Sequence, residues 1–349
     1  MVRKVQATPA RMVEKDGSIN FGTFRTPFRN ANMQDAPLYA FPVPGFWKNF
    51  RLKEWQHFGI ITPTHYLGMV IFDAKFAGIS FFYVYDRLKN TRFEHARQAG
   101  KKTAIHVASQ IYDDGCRLEA KGYHLRFENN LDQGFHRILI DMDRYQNCPA
   151  VQGEINVYED LKVVEPLVQV SPISRTRPFY THKAAVPASG RIVVGSREIV
   201  LKRDAAIALI DEQKTYYPYF SFWKWSTAAG YGENGKLVAF NLCQNMIADD
   251  EDFNENCFWL DGKITCLKAA RFEFGDVLKP WKIKTMDGKL DLSFVPEGER
   301  AQKINTAGMI RSDFHQPFGL YNGSFKDDRG MIRPIKDLFG LAEYHLTRY

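Results

Sequence analysis

The chain has 349 residues, 45% hydrophobic, 14% aromatic and 25% charged, with 47 basic side chains against 40 acidic ones for a net charge of +7. That length exceeds one ordinary hydrophobic core and predicts two domains, and the mix of apolar and charged residues excludes a disordered chain. The basic residues are scattered, with Lys101-Lys102 and Lys279 to Lys284 the densest groups, so no concentrated face for a nucleic acid is expected.

The opening MVRKVQATPARMVEKDG is basic but has no apolar run behind it, so no secretory leader is expected and the chain is placed in the cytoplasm. Five cysteines, at 116, 148, 243, 257 and 266, are odd in number and widely spaced. They fit reduced thiols rather than a disulfide framework or a zinc ribbon. The most apolar stretch, Phe58 to Phe72, is broken by Thr62-Pro63-Thr64-His65 and is too short and polar to insert stably in a membrane. Residues 65–86, HYLGMVIFDAKFAGISFFYVYD, read as a hairpin turning between Asp73 and Gly78. Residues 103–129 repeat that pattern around Asp113-Asp114-Gly115 and Lys121-Gly122, and HRILIDMD (136–143) alternates as a strand with one wet face.

The stretch PLVQVSPISRTRPFY (166–180), with three prolines, reads as a linker dividing the chain into domains 1–168 and 169–349. Beyond it, residues 189–204, 222–245, 257–274 and 281–296 are strand pairs, the last two turning on Asp261-Gly262 and Asp287-Gly288. Only ALIDEQ (208–213) and IKDLFGLAEYH (335–345) have a pattern compatible with short helices. A weak echo between EKDGSINFGTF and PASGRIVVGSREIVL suggests duplication. Turns every 8–12 residues or so predict an all-β chain of two tandem antiparallel barrels, which hide their strand edges by closing and have room for side chains or one small ligand.

The chemistry-bearing residues concentrate between 216 and 261. Strand alternation in YYPYFSFWKWSTAAG puts Trp223, Trp225 and Thr227 on one face, with Phe222, Lys224 and Ser226 on the other. The two indoles are either barrel core or the wall of a cavity, with Tyr217 beside them, and Ala228-Ala229-Gly230 leaves volume for the second choice. Asn241 shares the parity of Leu237 and Ala239 and needs hydrogen bonds if buried. Glu255, Cys257 and Trp259 share a face. A carboxyl in such a setting is either a proton donor, its pKa raised by desolvation, or a structural partner of Lys or Arg at the barrel mouth. Asp211 and His315 are alternative donors. Glu54-Trp55-Gln56-His57 places His57 beside an aromatic, as a core or surface His, while Asp313 with His315 and Glu343 with His345 offer an acid and a base; no third ligand at metal spacing accompanies them, so no metal site is expected. Signatures of the GxSxG, P-loop, HExxH and GxGxxG kinds are missing from the sequence.

Taken in order, FRLKEWQHFGI with FFYVYD, FWKWSTAAGYGENGKLVAFNL, ENCFWLDGK, LDLSFVPEG, FHQPFGLYNGSF and FGLAEYHLTRY resemble the bacterial domain-of-unknown-function 2804 family, from about residue 10 to the end. That family is similar to the tandem-lipocalin group of carotenoid 1,2-hydratase, tocopherol cyclase and AttH-like proteins. The resemblance implies two lipocalin-like, calycin-type barrels and acid-promoted chemistry on an isoprenoid or polyene. By motif it places Trp225, Glu255, Asn256, Trp259, His315 and Gln316 in the site. Two functions follow as expectations. One is a hydratase, cyclase or isomerase needing no metal or organic cofactor, with Glu255 as donor. The other is a carrier that holds an apolar small-molecule ligand unchanged. A chain with both interiors filled by aromatic side chains is the remaining alternative.

Overall fold

A computed structural model describes residues 3–100, 104–232, 234–247, 249–306 and 310–348; Lys101 and Lys102, and Glu233 within the expected strand pair 222–245, fall outside them. The protein is 62% strand and 4% helix, with its two antiparallel sheets curled into a near-barrel and a half-barrel. Alternation and tight turns account for this. At the hairpin Cys257–Leu260 to Lys263–Cys266, Asp261 (φ 54°) and Gly262 (φ 79°) are both left-handed, as a two-residue turn matching strand twist requires.

The main path of the N-terminal sheet runs, edge to edge, Thr91–Ala99, Gly78–Asp86, His65–Asp73, Lys53–Ile61, Arg197–Thr215, Arg177–Val194, Val151–Val157, Phe135–Met142, Tyr123–Asn130, Gly115–Ala120 and Ala104–His106. One face of it carries a continuous core that includes Phe58, Ile60, Leu67, Phe82, Leu125, Phe127, Ile138, Val186 and Ile210. A second cluster around Met12, Phe24, Phe28, Tyr180 and Tyr216 ties in the N-terminal segment. The C-terminal sheet runs Lys263–Cys266, Cys257–Leu260, Leu237–Asn245, Phe220–Tyr231, Ile332–Arg348, Ile310–Lys326, Leu290–Thr306, Trp281–Thr285 and Ala270–Glu273. Its core is aromatic: Phe258 stacks on Phe325 at 3.7 Å between ring centroids, Phe274 on Trp281 at 3.7 Å and Phe294 on Tyr321 at 4.4 Å.

Both segments with a helix-compatible pattern are strand. ALIDEQ lies inside Arg197–Thr215 and pairs on both sides, with Arg177–Val194 and with Lys53–Ile61; IKDLFGLAEYH lies inside Ile332–Arg348. Ladder bonds and burial on both flanks override a short helical pattern. The α-helix found among the described residues is instead Gly45–Arg51, where no residue is buried. The stretch read as a linker is also strand, with Pro172 in Leu167–Ser174 and Pro178 in Arg177–Val194.

The chain forms two compact units, Val5–Val170 with Arg175–Tyr216, and Met1–Lys4 with Ser171–Ser174 and Tyr217–Tyr349. The long hairpin of Arg177–Val194 and Arg197–Thr215, which a division after residue 168 assigns to the second half, is thus hydrogen-bonded into the middle of the first sheet. Among the described residues no helix is long and apolar enough to cross a membrane.

Candidate functional site

Three neighbouring strands of the N-terminal sheet change character along their length. On one face, Lys53–Ile61 presents Glu54, Gln56, Phe58 and Ile60; Arg197–Thr215 presents Ala206, Ala208, Ile210, Glu212 and Lys214; Arg177–Val194 presents His182, Ala184, Val186 and Ala188. Their apolar members belong to the barrel core. Register aligns the polar members at one end, Glu54 opposite Lys214, Gln56 opposite Glu212, and Glu212 opposite His182.

The result is a chain of buried polar side chains. Lys75, on the turn before Gly78–Asp86, pairs with Asp73 at 2.9 Å and Glu54 at 2.5 Å. Glu54 also faces Lys214 at 3.4 Å, and Lys214 lies 3.6 Å from Glu212 and donates to the Ala108 carbonyl. Glu212 Oε2 is 3.5 Å from His182 Nδ1, and His182 Nε2 is 2.8 Å from Glu159 Oε1. The other Glu159 oxygen meets His136 Nε2 at 2.8 Å, while His136 Nδ1 meets Asn129, which exchanges hydrogen bonds with Gln56. Glu159, His136 and His182 have no exposed surface. The facing Glu212 Oε2 and His182 Nδ1 are buried without a hydrogen-bond partner.

Burial disfavours charge on Glu159, His182, Glu54 and Lys214, but their partners outweigh it. Glu159 is held at about 2, chiefly by His182 acting against desolvation, and His182 is raised to about 10 by Glu159. Glu54 is lowered and Lys214 raised by the same opposition of burial and partner charge. Burial pushes the Cys116 thiol up to about 12, and its Sγ donates to Gln56 at 3.0 Å. Glu159 and His182, neither with exposed surface, are thus held in their charged forms at neutral pH.

Most of the residues singled out from the sequence lie in the C-terminal unit. Trp223, Trp225 and Thr227 do share a face, but the sheet's aromatic core is on the other one, with Ala228, Phe240, Leu242 and Phe258. Ser226, on that core side, bonds to Tyr321 at 2.8 Å. Both readings of the indoles, barrel core and cavity wall, set them on the core side, and they lie on the other face; that face is nonetheless largely buried, with Trp225 5% exposed, Asn241 2%, Trp259 2% and Glu255 1%. Two clusters form there. In one, Trp225 donates to Asn241 Oδ1 at 2.7 Å, Asn241 donates to the Glu255 carbonyl at 2.7 Å, and Asn245 donates to the Glu255 carboxyl at 3.0 Å. Asn256 works beside it as a brace, accepting from Cys243 N and donating to the Lys268 carbonyl. In the other, Glu343 accepts from Trp223 at 2.9 Å and Gln316 at 2.6 Å, Tyr217 stacks on Trp223 at 5.8 Å, and His345 packs edge-on to Trp223. His345 bonds to Ser312 at 2.7 Å, and burial presses its pKa to about 3.

The two alternative donors lie apart from these. Asp211 belongs to the N-terminal unit, on the opposite side of its strand from Glu212, and pairs with Lys183 at 2.7 Å. His315 is partly exposed between Glu299 at 2.9 Å and Asp313 at 3.4 Å. The stretch 54–57 drew notice for His57, which lies opposite Asp211 on the other face from Glu54 and Gln56. Glu343 and His345 were visible in the sequence as weaker candidates. His136, Glu159, His182, Glu212 and Lys214 were not, because their convergence depends on the registers of long strands. Among the described residues no group of three or more His, Cys, Asp or Glu is arranged to hold a metal ion.

No curated protein matches the chain. Among solved structures, kievitone hydratase from Nectria haematococca is similar with a TM-score of 0.49 at 10% identity, over 85% of this chain and 88% of that one. A putative AttH protein from Nitrosomonas europaea is similar with a TM-score of 0.47 at 11% identity, over 89% of this chain and 97% of that one. The family model described as a domain of unknown function, DUF2804, matches residues 3–349, and the chain belongs to that family.

Proposed function

We propose that the N-terminal near-barrel binds an apolar small molecule, isoprenoid, polyene or lipid-like, whose polar end meets the buried ion chain. The observation that carries this reading is the ion pair of Glu212 Oε2 and His182 Nδ1, 3.5 Å apart and buried at the boundary between an apolar interior and an ionised end. Buried ion pairs are costly to maintain, and they concentrate at functional sites. Small side chains supply the apolar side of the interior, with Val186 opposite Ala208 and Ala188 opposite Ala206. The chain suits binding better than turnover. A His182 imidazolium held to about 10 orients and polarises a ligand, but it gives up its proton reluctantly near neutrality, where a general acid works best with a matched pKa.

Titration with cis-parinaric acid, a fluorescent polyene carboxylate, tests the reading. Wild type should enhance its emission saturably, and Ala208→Phe, filling the interior, should abolish the enhancement while still melting cooperatively. No saturable binding, or equal binding by the variant, would contradict it.

A second reading is turnover by acid-promoted hydration, cyclisation or isomerisation, with Glu255 as donor and Tyr217, Trp223, Trp225 and Trp259 sheltering a developing cation. It is favoured by the enclosure of Glu255 and its link through Asn241 to Trp225. Asp211 and His315, each held in ion pairs, are less suited to the part. Glu255→Gln should then stop turnover of a substrate while leaving its binding intact; unchanged turnover would remove Glu255 from the scheme.

A further inference from the structure

The helix Gly45–Arg51, GFWKNFR, has aromatic residues on show. Phe46 is 76% exposed, Phe50 43% and Trp47 40%, and Phe76 on the neighbouring turn is 38% exposed. These rings form one patch, Trp47 stacking on Phe50 at 5.5 Å and Phe50 meeting Phe76 at 5.7 Å. No residue of the helix is buried. A contiguous exposed aromatic patch on a folded protein marks an interaction surface.

Basic side chains accompany it. Lys48 and Arg51 are on the helix itself. Lys53 Nζ lies 4.9 Å from the Phe76 ring centre but is buried, which lowers its pKa to about 7, so it supports the rings rather than supplying surface charge. Lys75 precedes Phe76, and the carboxylates nearest to it, Glu54 and Asp73, are already engaged by its own ammonium. Aromatic side chains ringed by Lys and Arg suit an anionic bilayer, with rings entering at headgroup depth and cations meeting phosphates. The chain's net charge of +7 has the same sense.

We propose that Phe46, Trp47, Phe50 and Phe76, with Lys48 and Arg51, form a docking surface for an anionic lipid bilayer. The proposal goes beyond ligand binding and does not rest on it. It also gives the patch a place in the fold, because Lys75, at its edge, begins the ion chain that leads into the barrel.

Co-sedimentation of the full chain with vesicles tests it. Wild type should pellet with phosphatidylcholine vesicles containing about 30% phosphatidylglycerol and stay in solution with pure phosphatidylcholine. Phe46→Ala/Trp47→Ala and, separately, Lys48→Glu/Arg51→Glu should weaken that binding at least about ten-fold. Phe46 and Trp47 are exposed and Lys48 and Arg51 half-buried, so each double variant should still melt cooperatively, and cis-parinaric acid binding should persist. Equal partition into neutral and anionic vesicles, or binding that survives both double variants, overturns the proposal. So does failure to pellet accompanied by self-association that Phe46→Ala/Trp47→Ala abolishes, which would assign the patch to a second copy of this chain.

Discussion

Glu159 is a carboxylate with no exposed surface whose folded pKa lies near 2, below its ordinary 4.5, because two imidazoles share it. Its contribution to stability is therefore present above pH 4.5 and lost as pH falls toward 2. His182 moves the other way, from 6.5 to about 10, so its contribution is complete below pH 6.5 and lost as pH rises toward 10. The pair together stabilises the fold most between about pH 4.5 and 6.5. Denaturant unfolding against pH should show Glu159→Gln flattening the acid limb and His182→Gln the alkaline limb. Each variant should lose about 3–5 kcal/mol within the window, the usual cost of leaving one half of a buried pair without the other. Limbs identical to wild type would show that the pair is not ionised. Single residues of this network gave little sign of it in the sequence: Glu159 sits outside the strands, and His182 in PFYTHKAAV is one of three consecutive polar residues between apolar ones.

Hairpins were the most legible elements, because alternation and Asp-Gly turns are local signals. His65–Asp73 with Gly78–Asp86, and Trp281–Thr285 with Leu290–Thr306, stand where residue pattern alone places them. Long strands were not legible to their full length. Arg177–Val194 and Arg197–Thr215 run past a bulge, where the register shifts between Ala188 and Gly190. Gly190 has φ 154°, and a Cβ there would run into the Glu154 carbonyl oxygen of the adjacent strand. Gly190→Ala should therefore cost about 2 kcal/mol or more in chemical denaturation, by strain and by displacement of Val151–Val157. A neutral outcome would mean that the bulge relaxes freely. The helix Gly45–Arg51 escaped notice because its aromatic residues face outward, so no amphipathic period pointed to a core.

At the scale of the molecule, the all-β architecture was readable from composition and turn spacing. The grouping of strands was not, since it depends on the partners that the 177–215 hairpin finds. A fragment of residues 5–216 keeps the eleven-strand path of the first sheet and should unfold cooperatively, followed by circular dichroism. A fragment of residues 5–168 lacks that sheet's two longest strands and should not; cooperative unfolding of the shorter piece would restore a boundary near residue 168. The candidate site was not legible: the stretch 54–57 drew notice for His57, which is on the other face from Glu54 and Gln56, and distant segments complete the ion chain. The most direct measurement is native mass spectrometry of the full chain purified gently from the cells that make it. The account predicts an apolar small molecule bound one to one, released by organic solvent and missing from Ala208→Phe. A wild-type mass equal to the bare polypeptide, together with no uptake of added polyene, would contradict it.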